Sequence, residues 1–187
     1  MSLKRRIMAL SAAGLLAIAG YEGYSEYAYE PLPGDRLTIG FGHTGDVRPG
    51  DKVDLKEALS LLDKDTRYAQ NAVNRNVTIL LSQNEFDALV SLVYNIGETQ
   101  FRNSTLLRCL NNTDFDGVHR EWMRWKYFKG KPVKGLENRR ARELAVFCGE
   151  TVERAAGDRL CFGSAGCISY GELLQERGSS PDGASAG

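Results

Sequence analysis

Residues 22–44 read EGYSEYAYEPLPGDRLTIGFGHT, and this stretch decides what kind of molecule the chain is. Glu22 stands directly after an apolar run. A hairpin punctuated by Pro33 and Gly34 follows, carrying two more carboxylates, Glu30 and Asp35. Thr38 then heads a glycine-spaced strand, Thr38-Ile39-Gly40-Phe41-Gly42-His43-Thr44. A carboxylic acid at a helix end, facing a second polar group on a short hairpin, is the arrangement that glycosidic-bond cleavage needs.

Working outward, residues 7–23 read as a helix ending near Gly23. Tyr27, Tyr29 and Leu37-Thr38-Ile39 favour strands on either side of the Pro33-Gly34 turn. Asp54 with Glu57, and Ser82 with Glu85, have the spacing of capping boxes. Helical repeats follow each: Leu55, Ala58, Leu59 and Leu62, then Phe86, Leu89, Val90, Val93 and Tyr94, with Gly97 as a stop. Shorter helices are expected near Ser104–Leu110 and after Asp114, the latter with Val118, Trp122 and Trp125 on one side. Gly130 and Pro132 break that helix, and Leu136–Phe147 is the last strong one. The tail, GSSPDGASAG over 178–187, has a disordered composition. The class is α+β, mainly helical with a small N-terminal β-hairpin lobe.

The chain has 187 residues and is 42% hydrophobic, enough for one domain with a real core. Net charge is zero, yet the middle-to-late part is crowded with cations from Arg102 to Arg142. A basic face suits a partly anionic polymer. Nucleic acid is a poor partner, because no recognition motif accompanies those cations.

Three separated blocks resemble one family. Glu22-Gly23, Ala28-Tyr29 and TIGFGHT are similar to the active-site signature of phage-type lysozymes, the endolysin muramidases of glycoside hydrolase family 24. LVYNIGETQFRNSTLLRCLN (Leu92–Asn111) resembles their central helix and the turn after it. KGLENRRARELAVF (Lys134–Phe147) resembles their Arg-rich C-terminal helix. The resemblance implies a lysozyme-like fold and hydrolysis of the MurNAc–GlcNAc β-1,4 bonds of peptidoglycan. It implies Glu22 as general acid, Thr38 as holder of the water, and Asn95 and Arg139 as substrate-binding polar residues near the cleft. No cofactor or metal is implied, and a monomer is expected.

The second carboxylate departs from the family pattern. The family's Asp commonly lies nine residues after the Glu, where this chain has Pro31. Glu30 and Asp35 remain as candidates. A two-residue Pro33-Gly34 turn pairs Tyr29 with Thr38, whereas a three-residue loop pairs Glu30 with Thr38. Spacing does not choose between them. The resemblance to P-x-P-G-D hairpins favours Asp35. His43 reads as a structural hydrogen-bonding residue in preference to a base, and His119 as a surface residue without a partner.

At the N-terminus, Lys4-Arg5-Arg6 precedes fifteen uncharged residues, Ile7–Tyr21. This is a signal-like pattern, short of the about 20 apolar residues of a full span. Three readings compete: a cleaved signal peptide with an Ala17-Ile18-Ala19 site, a plain core helix of a cytoplasmic enzyme, and a weak uncleaved anchor that later leaves the bilayer. Cleavage would leave Glu22 without its helix. The third reading, that of signal-anchor-release endolysins, is preferred, because an Ala/Gly-rich segment suits both bilayer and globule. The expected organisation is a signal-anchor-like segment 1–21, a catalytic domain 22–150, and a Cys-containing extension 151–187. Localisation at the periplasmic face of the host inner membrane, then release, follows from it.

Cys109, Cys148, Cys161 and Cys167 allow three pairings, and disulfides stapling the C-terminal extension are expected. Their spacing matches no zinc site. Two other function classes stay open: a non-catalytic peptidoglycan-binding protein on a lysozyme scaffold, and a lytic transglycosylase.

Overall fold

The structure is a computed structural model that describes residues 7–151, with the backbone alone of residues 159–161 and 167–169. Helix α1 (Ala12–Glu22) leads into strands β1 (Ser25–Tyr29) and β2 (Thr38–Gly40). Helices α2 (Leu55–Asp65), α3 (Arg67–Asn76), α4 (Gln83–Ile96), α5 (Glu98–Arg102), α6 (Thr105–Asn111) and α7 (Phe115–Trp122) follow. A 3₁₀ turn (Met123–Lys126) and a ribbon of β3 (Tyr127–Phe128) and β4 (Lys131–Pro132) then lead to α8 (Lys134–Phe147). Beyond it, β5 (Arg159–Cys161) pairs antiparallel with β6 (Cys167–Ser169). The mainly helical class with a small N-terminal β lobe is the one read from the sequence.

Helix α4 is the hub. Every residue from Phe86 to Val93 is buried, and α1, α3, α5 and α8 all pack on it. Its start is fixed by the expected capping box of Ser82 and Glu85, and α2 starts on the box of Asp54 and Glu57. Asp114 caps α7 by accepting from Gly117 N. Trp122 is fully buried, with its ring 5.1 Å from that of Phe147. It therefore belongs to the core.

The N-terminal helix is shorter than expected. It begins at Ala12, because Ser11 accepts from Gly14 N and caps it. Ahead of it, the main chain of residues 8–11 is gripped by side chains of α3 and α4. Asn74 both donates to Met8 O (2.8 Å) and accepts from Met8 N (3.0 Å). Gln70 accepts from Leu10 N, and Gln83 donates to Ala9 O. Buried Asp87 accepts from Ser11 N (3.0 Å) and from the Ser11 hydroxyl. Polar groups that helix formation would have paired are satisfied sideways instead. Leu15, Leu16, Ile18 and Ala19 of α1 lie wholly inside the core. Among the described residues, no helix is long and apolar enough to cross a membrane.

The expected disulfides are not formed among the described residues. Cys109 and Cys148 are free thiols. Each sits against another neighbour: Cys109 crowds Gly117 at the start of α7, and Cys148 Sγ lies 3.3 Å from His119 Nε2. His119 is thus not the partnerless residue expected. Cys161 and Cys167 are opposed in backbone register, but their side chains lie outside the described residues, as does the segment 178–187.

Candidate active site

Glu22 is the last residue of α1. Gly23 follows at φ +74°, a left-handed conformation that lets the chain leave the helix at once and turn into β1. The Glu22 side chain is one-quarter exposed. Its Oε1 accepts from Arg139 Nη1 at 2.8 Å, and Oε2 has no protein partner among the described residues.

Arg139 comes from α8 and is nearly buried. All its nitrogens are used: Nη1 on Glu22, Nε on Glu143 Oε1 (3.0 Å), Nη2 on Ser91 O (3.2 Å). The guanidinium carbon lies 4.7 Å from the centre of the Tyr21 ring. Burial works against its charge, but Glu143 and Glu22 outweigh burial and hold its proton more tightly than usual. Arg140, one residue on, is fully buried and bonds Glu143 Oε1 (3.0 Å) and Asn95 Oδ1 (3.1 Å). Burial first, and then the charge of Arg139, lower its affinity for the proton. Asn95 itself is exposed at the end of α4.

Two phenols feel the charge of this acid, and a third lies over its arginine clamp. Burial, then Glu143, pushes Tyr21 up to about 12. Burial, then the negative charge of Glu22, raises both Tyr68 and Tyr94. Tyr68 donates to Tyr94 O at 2.8 Å, which fixes the pair beside the carboxylate.

The hairpin takes the two-residue turn. Tyr29 pairs with Thr38, and Asp35 N donates to Leu32 O at 2.9 Å. Pro33 and Gly34, the latter at φ +90°, occupy the central positions. Glu30 Oε1 accepts from Gly34 N at 2.9 Å and closes the turn. Asp35 is exposed, and its carboxylate has no partner among the described residues. Thr38 is buried and donates its hydroxyl proton to Arg36 O (3.1 Å), leaving the oxygen free to accept from water. Beyond it, both ring nitrogens of His43 are occupied, by Asp65 Oδ2 (2.8 Å) and Gly45 O (2.9 Å). His43 is a structural brace between β2 and α2.

The phage lysozyme family model matches residues 19–143. The chain belongs to that family. An endolysin of Acyrthosiphon pisum secondary endosymbiont phage 1 is 40% identical over 75% of this chain and 98% of its own length. A SAR-endolysin of Bacteriophage PS119 is 36% identical over 78% of this chain and 93% of its own. Among solved structures, an endolysin from the Escherichia coli O157:H7 phage FAHEc1 superposes with TM-score 0.70 at 36% identity, covering 78% of this chain and 96% of that one. The protein is accordingly an enzyme, a glycosidase of the lysozyme type.

Of the residues expected at the site, the structure joins Glu22 to Arg139, but it leaves Arg139 no free nitrogen for a glycan, against the substrate-binding role expected of it; Glu143 and Ser91, which hold Arg139 in place, were not read from the sequence. The signal was present: Glu143 lies four residues after Arg139 and three after Arg140, on one helix face. At a helix surface that spacing is an ordinary ion pair, and nothing in it announces burial.

Proposed function

We propose that this enzyme hydrolyses the glycosidic bonds of peptidoglycan, with Glu22 as general acid. One observation carries the reading: Glu22 ends an apolar helix and is held by Arg139 through one oxygen, leaving Oε2 open to a ligand. A proton on Oε2 would pass to the leaving glycosidic oxygen, while a water that donates one hydrogen bond to the Thr38 hydroxyl oxygen gives up its other proton to the Asp35 carboxylate as it attacks the sugar carbon. Asn95, exposed and oriented by Arg140, is a polar contact for the glycan. Glu22→Gln should lower the rate on purified peptidoglycan by about 100-fold or more, with the fold intact. A folded Glu22→Gln protein with near-wild-type activity would exclude this mechanism. Reducing ends in the products mark hydrolysis, and anhydro ends would mark a transglycosylase instead.

The N-terminal segment is proposed as a weak membrane tether that keeps the enzyme inactive until it leaves the bilayer. A relative named a SAR-endolysin and the uncharged run Ile7–Tyr21 support this. As a helix, that run would reach roughly 22 Å against a hydrocarbon core of about 30 Å, a mismatch that weakens anchoring. Membrane fractionation before and after depolarisation, with intact mass, tests it. The expected soluble product retains the N-terminus, and a form starting near Gly20 would mean cleavage.

A further inference from the structure

The acid's clamp is itself clamped from behind. The Glu143 side chain is 1% exposed, so it cannot touch substrate. Yet it accepts from four donors. Oε1 accepts from Ser91 Oγ (2.7 Å), Arg139 Nε and Arg140 Nη2, and Oε2 accepts from Trp122 Nε1 at 3.3 Å. Arg140 Nε lies 2.9 Å from Oε2 as an ion-pair contact without hydrogen-bond alignment, and Arg140 Nη1 has no partner among the described residues. From this we infer that Glu143 is a positioning residue for the reaction, acting on Glu22 solely through Arg139. The inference rests on the assignment of Glu22 as the acid.

Two physical arguments carry it. First, a buried ion pair is weak evidence for a stabilising role, since apolar replacements of such pairs are often neutral or better. Second, the geometry is directional. A guanidinium is planar and rigid, so fixing Nε on Glu143 and Nη2 on Ser91 O leaves Nη1 aimed at one place, Glu22 Oε1. The charges also balance as a set: Arg139 and Arg140 against Glu143 and Glu22. Removing Glu143 leaves a buried Arg140 uncompensated and frees the Arg139 fork to swing off the acid.

The test is a kinetic cycle on the full-length enzyme with soluble peptidoglycan fragments. Glu143→Gln should lower kcat by about 10- to 100-fold with KM little changed, the size expected for a misplaced catalytic group. In an Arg139→Gln background the same change should cost nothing further, because its only route is gone. Additive losses, or an unchanged kcat, would overturn the inference. If Glu143→Gln does not fold, the double variant Arg140→Met/Glu143→Leu removes both buried charges while keeping apolar volume. A folded double variant should still lose kcat, and full activity in it would equally overturn the inference. Glu22→Gln run alongside separates the two readings. An active Glu22→Gln enzyme discards the acid assignment, whereas an inactive one with an indifferent Glu143 discards this inference alone.

Discussion

Glu30 and Asp35 stand on either side of one turn and have different tasks. Glu30 spends a carboxylate oxygen on Gly34 N, as a turn cap does. Asp35 is exposed and without a partner among the described residues, which leaves it free for the water-directing role proposed for it. Asp35→Asn should therefore cost about 100-fold in rate, the scale of a lost acid–base partner. Glu30→Gln keeps an oxygen for Gly34 N and should cost little. Rates of the two variants on purified peptidoglycan decide, and a large loss only for Glu30→Gln reverses the assignment. At this scale the sequence was informative where a residue's partners are near in sequence. The Pro33-Gly34 pair narrowed the register to two choices, and the structure took one. Glu143 was illegible, because its burial depends on Ser91 and Trp122, 52 and 21 residues away.

Among the elements, α2 and α4 were readable because each is announced by a local capping box. Helix α3 was not read. Its N-cap Thr66 makes no side-chain cap bond, and its hydroxyl donates back to Asp63 O. The start of α1 was misjudged for a related reason: it depends on Asp87, 76 residues on. Burial raises the Asp87 carboxyl above its ordinary value, against the opposing bonds from Ser11 and Gln83. For a carboxyl whose folded value is raised, the folded state binds more protons than the unfolded one. That contribution is fully present below the unfolded value and is lost as pH rises through the folded one. Asp87→Asn should remove this dependence. Urea midpoints measured from about pH 4 to about pH 7 should show the variant gaining on wild type as pH rises. Parallel curves for the two proteins would contradict it.

For the molecule as a whole, the proposed tether requires one segment to serve both bilayer and globule. Gly14 and Gly20 bear on this differently. A Cβ on Gly14 would meet Asp87 Cγ at 2.7 Å and Leu10 Cδ1 at 2.8 Å, whereas Gly20 is exposed. Gly20→Leu should thus strengthen anchoring and delay lysis without harming the released enzyme. Gly14→Ala should do the opposite: leave release almost unchanged but destabilise the folded form by about 1–3 kcal/mol through overpacking. Lysis timing, together with denaturation of the purified proteins, separates the two. If Gly20→Leu lyses on schedule, the segment does not set the clock.

The side chains of Gln70, Asn74 and Gln83 bond to peptide groups of residues 8–10 and to none of their side chains. Peptide groups are the same whatever residue carries them. Ala9 is exposed and Met8 only half-buried, so two of these three positions are open to substitution while the grip persists. Under the tether proposed above, natural drift or a protein engineer can therefore rewrite that part of the segment for a different host's membrane without redesigning the fold it packs on.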